Sequence, residues 1–170
     1  MDARGNMRSW IFYNVLGAAV ALNSAIAAGG EPAWDPVVIR AIAEVEVRTS
    51  DQGRSATHLV SADRVVSGEE IIYTLEVRNT AASTVHAPTV TYAVPAHMRY
   101  VADSAVGPGA EVSFSVDGGR IFDSPENLEI ATADGRRAAA AADYTHIRWR
   151  FAKDLKANSV AFVRFRALVK

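Results

Sequence analysis

The stretch SGEEIIYTLEVRNT, Ser67 to Thr80, constrains the fold of this chain more than any other. Ile71, Tyr73, Leu75 and Val77 stand on alternate positions, with Glu70, Thr74, Glu76 and Arg78 between them. Successive side chains of a β-strand point to opposite faces, so this period of two asks for a strand with one face buried. A buried strand face needs a second layer to cover it. Gly68 supplies the turn into the strand. Asn79 ends it, where a short amide hydrogen-bonds nearby backbone.

The same period recurs along the chain. Ile39, Ala41, Ala43, Val45 and Val47 alternate with Arg40, Ile42, Glu44, Glu46 and Arg48, which predicts a long first strand. SDQGRSA then reads as a polar loop and THLV as a short strand. TVTYAVP is a strand closed by Pro95, and MRYVADSA another short one. After the turn Gly107–Gly109, Val112, Phe114 and Val116 oppose Glu111, Ser113 and Ser115, and Asp117–Gly119 signals a hairpin turn. RIFDSPENLEI is a weaker signal, interrupted by Pro125, and ADGRRAAAAAD reads as a loop with room for one helical turn. Ile147, Trp149 and Phe151 alternate with His146, Arg148 and Arg150; Val163, Phe165, Ala167 and Val169 share a face of the last strand. These two strands, joined by KDLKAN, are expected to form a hairpin.

The sum is an all-β chain: an immunoglobulin-like antiparallel β-sandwich of about seven to nine strands. It spans residues 37–170. Tyr73, Leu75, Val77, Phe114, Val116, Ile147, Trp149, Phe151, Val163 and Phe165 are expected to share its core. Composition agrees, with 49% hydrophobic and 22% charged residues, enough apolar surface for a packed domain. A formal net charge of -1 argues against nucleic acid as a partner. The chain has no cysteine, which excludes disulfides, Cys-ligated zinc and thiol catalysis.

The first residues are of a different kind. Arg4 and Arg8 precede an uncharged apolar run from Trp10 to Ala28, and Ala25-Ile26-Ala27 fits the small-x-small pattern of a cleavage site. A charged start, apolar middle and small-residue end make residues 1–27 a secretory signal peptide, cleaved before Ala28. An uncleaved membrane anchor is the rival, though Asn14, Asn23 and Ser24 interrupt the run. Residues 28–36, with two glycines and two prolines, read as a linker. The expected location is therefore periplasmic, extracellular or at the cell surface, with no membrane span after cleavage.

Across Val45–Lys170 the chain resembles the bacterial conserved-repeat domain, known as domain of unknown function eleven. Gly68, Glu69, Tyr73, Thr74, Asn79, Pro95, Tyr100, Val101, Ser104 and Ala105 fall on that family's pattern. The resemblance implies an immunoglobulin-like module, exported or displayed at the surface, with no catalytic residues to carry over. The family often has an acid ahead of the closing proline, where this chain has Tyr92, so no role of that acid transfers. The family also occurs as tandem repeats, and one copy stands here.

Motifs for chemistry are sparse. His58, His86, His97 and His146 lack the short spacing of zinc ligands. Asp117, Asp123 and Glu126 could serve calcium, but their context reads as a plain turn and lacks the EF-hand pattern. No G-x-S-x-G elbow is present. No catalytic, cofactor-binding or metal residue is therefore assigned. One candidate site remains. A hairpin of the last two strands would set Arg148 and Arg150 beside Arg164 and Arg166, a candidate anion-binding face. Glu44 and Glu46 on the first strand are its candidate internal neutralisers.

The expected function is an exported, non-enzymatic structural, adhesion or assembly module of the bacterial envelope or surface. A lectin-like module binding an acidic glycan through the arginines is the alternative, and an enzyme of unknown class the remote one. Partners are envelope or surface proteins, or an acidic glycan. The chain is expected to be mainly monomeric, its first strand bound within its own domain, with assembly through strand edges as the variant. Export predicts that protein from the native host starts at Ala28, or within a residue or two, by mass spectrometry. An intact Met1 in a soluble cytoplasmic fraction would contradict it.

Overall fold

A computed structural model of the chain describes residues 36–51 and 54–170. The expected signal peptide (1–27) and all of the expected linker but Pro36 lie outside these residues. The described part holds ten strands: β1 (Val37–Asp51), β2 (Arg54–Ser61), β3 (Glu70–Asn79), β4 (Thr89–Ala93), β5 (Met98–Tyr100), β6 (Ala110–Ser115), β7 (Glu129–Thr132), β8 (Gly135–Ala138), β9 (His146–Phe151) and β10 (Val160–Val169). Its helical content is two short 3-10 turns, Pro125–Asn127 and Ala141–Asp143. One sheet has the order β2-β1-β3-β10-β5, a second β4-β9-β6, and β7-β8 form a small hairpin. Every pairing is antiparallel. No helix among the described residues is long and apolar enough to cross a membrane.

The all-β antiparallel sandwich is as expected. Of the ten residues expected in the core, all but Val116 are buried, and Val116 packs against the rest. The two sheets meet through aromatic rings. Tyr73 of the first stacks on Phe165 at 4.9 Å, and Phe165 reaches Tyr92 and Trp149 of the second at 5.9 and 6.2 Å. Burial pushes the Tyr73 hydroxyl pKa up to about 12. Gly107 lets the chain pass over Trp149: a Cβ there would lie 2.9 Å from both Trp149 Cδ1 and Val163 Cγ1.

Three local expectations are corrected. Within SDQGRSA, Ser50, Asp51, Arg54, Ser55 and Ala56 are strand residues, because β1 continues to Asp51 and β2 starts at Arg54, paired from Glu44↔Ser61 to Asp51↔Arg54. A strand with water on both faces needs no alternation, so its sequence carried no period. ADGRRAAAAAD contributes β8, the second strand of the β7–β8 hairpin, as well as one 3-10 turn. Its bend rests on Gly135 at φ 130, open to glycine and costly for other residues. Asp117–Gly119 does turn the chain, but the segment beyond the turn meets β6 only at the bridge Phe114↔Asp123.

The larger correction concerns β9 and β10. They form no hairpin, because β9 sits in the three-stranded sheet and β10 in the five-stranded one. KDLKAN crosses between layers. In the immunoglobulin order the last strand lies beside the one before it. Here β10 lies between β3 and β5 instead. Asn79, fully buried at the end of β3, explains the crossing. Its Nδ2 donates to the carbonyls of Leu155 (2.9 Å) and Lys156 (3.1 Å) in the crossover and of Ser83 (2.8 Å) in the loop after β3. Its Oδ1 accepts the N–H of Ala81 at 2.9 Å. Main-chain bonds from Asn79 N to Ser159 O and between Val85 and Leu155 tie the same segment to β3 and to that loop.

Two substitutions test this account. Trp149→Ala should cost roughly 3–5 kcal/mol in chemical denaturation, the range of a large cavity. Asn79→Ala leaves its carbonyl partners without this donor and should cost on the order of 2–4 kcal/mol, since each unmet buried group costs about 1–3. A wild-type unfolding midpoint for either variant would contradict the packing described.

Candidate functional site

β3 pairs with β1 only from Val37↔Asn79 to Val45↔Ile71. Beyond that point β1 has β2 alone as a neighbour. The two strands therefore leave the sandwich as a two-stranded ribbon. From Glu46 to Asp51 it extends about 20 Å at the usual rise per residue. Glu46–Ser50 and all eight residues of β2 are exposed. The ribbon carries apolar side chains that no layer covers: Val47, Leu59 and Val60 are each about 40% exposed, at 39%, 41% and 43%. Val47 and Val60 share one face of the ribbon and Leu59 lies on the other, so each face of this otherwise polar element carries uncovered apolar surface.

At the base of the ribbon lies an open pocket of about 330 Å³, walled by Val45, Val47, Ile72 and the charged Glu46, Glu70 and Arg166. Arg166 Nη1 donates to Glu70 Oε1 at 2.6 Å, and its Nη2 stands 3.8 Å from Glu46 Oε2. β3 runs between β1 and β10, so Glu46 reaches Arg166 across an intervening strand. Of the two expected neutralisers Glu46 reaches Arg166, no salt bridge engages Glu44 among the described contacts, and Glu70 makes the closer contact. Its signal was present in the opening alternation, where Glu70 shares the outward face with Thr74. Arg164 donates through Nε to Thr74 Oγ1 at 3.0 Å. The stems of these arginines lie over β3, which is why Ile72 and Thr74 are buried on a face that alternation assigns to solvent.

The four arginines do not form one face. Val163, Phe165 and Ala167 point into the core from β10, and Ile147, Trp149 and Phe151 from β9. Arg164 and Arg166 therefore point outward from the five-stranded sheet, and Arg148 and Arg150 outward from the three-stranded one, on the opposite side of the sandwich. Arg148 lies over the Phe122 ring, 3.6 Å from its centroid, and donates to Thr91 Oγ1 at 3.3 Å. Arg150 faces Glu111 across the β6–β9 pair. The candidate anion-binding face divides into two halves, each with an acid in or next to it.

Several other titratable groups are engaged locally. Asp117 accepts the Ser115 hydroxyl at 2.7 Å and the N–H groups of Arg120 and Ile121 at 3.0 and 3.1 Å, which hold its pKa below the ordinary carboxylate value. Asp123 accepts from Asn127 Nδ2 at 2.9 Å and from the Ser124 N–H at 2.7 Å, with the same effect. Both carboxylates serve their own turns. His86 Nδ1 lies 2.8 Å from Asp154 on an exposed loop. His146 is held edge-on to Phe122, its pKa lowered by burial. His58 stands in β2 on the ribbon, and His97 accepts the Lys170 N–H at its carbonyl. Among the described residues, no three His or acidic side chains converge as metal ligands would.

Fold and site together define the class: an antiparallel β-sandwich with a projecting two-stranded ribbon. No family model, no curated protein and no solved structure matches the chain.

Proposed function

We propose that this chain is a non-enzymatic binding module of the bacterial envelope or surface, exported by its N-terminal segment and serving structure, adhesion or assembly. The observation that carries this reading is the ribbon. It offers a free strand edge and uncovered apolar side chains, a combination suited to a protein partner that adds a strand. The likeness to the conserved-repeat domain supports the same reading. The likeness rests on positions with clear structural work, Asn79 above all.

The acidic-glycan alternative now draws on half of its residues at a time. Arg148 and Arg150 are its better half, since no salt bridge engages either among the described contacts, while Arg166 has Glu70 and Glu46. The two readings separate in one experiment. Replacing residues 48–57 by Asn-Gly shortens the ribbon but keeps every pairing of the sandwich core. The shortened protein should melt within a few degrees of wild type, yet run free of its high-mass envelope complex in native sizing of host extracts. Retention on a polyanionic glycan column, lost in Arg148→Ala and kept in the shortened protein, would overturn the proposal in favour of the glycan.

A further inference from the structure

The outer edge of β2 is specified more closely than a generic sticky strand. Ala62 N–H donates to Ala43 O at 3.0 Å, and Thr80 N–H to Pro36 O at 2.8 Å. The first bond fixes the even-numbered residues of β2 as those facing β1. The second shows that even-numbered residues of β1 face β3, as the alternation requires. Ser55, Thr57, Leu59 and Ser61 therefore turn their N–H and C=O groups outward, and no strand lies beyond them among the described residues. β2 is the longest edge strand described: the others, β4, β5, β6, β7 and β8, have five, three, six, four and four residues against its eight. It has no proline, no lysine and no bulge, and its one formal charge, Arg54, stands at its first residue.

We infer that two copies of this chain pair edge to edge through β2, antiparallel about a two-fold axis at His58, joining their five-stranded sheets into one. This goes beyond the proposed function by naming a second copy as the occupant, and it rests on the reading of the ribbon as an interaction element.

The register comes from the four outward residues. Their midpoint is His58, and only an axis there engages all of them, with Ser55 opposite Ser61 and Thr57 opposite Leu59 as the hydrogen-bonded pairs. Between them Ala56 faces Val60, and His58 meets its own copy. Leu59 and Val60, exposed in the monomer, thus gain a methyl-bearing neighbour on each face of the sheet. Charge also fits. Arg54, the one formal charge of β2, comes opposite Ala62 of the second copy, next to that copy's exposed Asp63, and never opposite another cation. A single pair of eight-residue edges buries little area, so the result is a weak, reversible dimer, and a dilute sample is mainly monomer.

The full mature chain is the sample, and sedimentation velocity from micromolar to millimolar concentration is the first measurement. The wild type should shift from monomer to dimer and stop there. Thr57→Pro should stay monomeric throughout with an unchanged melting curve, because the Thr57 N–H points outward and its loss costs no bond to β1. Register is tested by oxidation of single cysteines, which this cysteine-free chain permits without background. His58→Cys should give mostly covalent dimer, since Cα atoms of a directly opposed non-hydrogen-bonded pair lie about 4.5 Å apart, within disulfide reach. Ala56→Cys alone should give almost none, and an equimolar mixture of Ala56→Cys and Val60→Cys should cross-link. A wild type that stays monomeric at millimolar concentration, or Ala56→Cys and His58→Cys linking equally, would overturn the inference. Monomer in purified form, with the shortened ribbon still freeing the protein from its host complex, would sink the self-pairing alone and leave the proposed function standing.

Discussion

One buried amide determines where the last strand goes. Asn79 ends β3 with no exposure to solvent, and its side chain binds main chain both four residues away, at Ser83, and 76 and 77 residues away, at Leu155 and Lys156. A buried donor that lost these partners would cost free energy, so the crossover is held wherever β3 is formed. That hold sets the layout. The segment after β9 is drawn to the end of β3, and the chain re-enters beside it as β10. β10 then brings Phe165 over Tyr73 on the inside and Arg166 beside Glu70 on the outside.

The same hold explains how much was legible in the sequence. Alternation reads one face at a time, so it identified the inward residues of β3, β6, β9 and β10 and with them the core. It assigned the Asn79 amide to nearby backbone, and the bonds to Ala81 and Ser83 are of that kind. It had no access to Leu155, because a bond between residues so far apart leaves no spacing to read. The expected β9–β10 hairpin failed for that reason, and the single arginine face failed with it. The ribbon was read only in part, THLV as a short strand and the first strand to Val47, and its full length was missed on different grounds. Period two records a difference between two faces, and from Arg54 to Ser61 the two faces are alike in being wet. Strand length there is set by pairing with β1, a contact between neighbours in sequence that a polar, turn-like composition disguised.

The two outer faces of the sandwich are consequently separate surfaces. On the five-stranded sheet, Arg164 and Arg166 are bonded to Thr74 and Glu70 and cover the middle strand. That arrangement is a lid of long side chains over β3, and exposed pairs of this kind add at most about 1 kcal/mol each. On the three-stranded sheet, Arg148 lies on Phe122. One feature not consumed by packing or local bonding is the ribbon, whose outward N–H and C=O groups and apolar side chains have no partner layer among the described residues. Function is therefore sought where the fold leaves hydrogen-bonding capacity open.

The openness of that edge is the claim on which the functional account stands, and residue-resolved amide exchange by NMR on a dilute sample of the mature chain tests it most directly. In β2 the N–H groups of Ala56, His58 and Val60 face β1 and should exchange slowly. Those of Ser55, Thr57, Leu59 and Ser61 face outward and should exchange at rates close to those of an unstructured chain. Uniformly slow exchange along β2 would mean that its edge is already covered within the monomer, and would contradict the account.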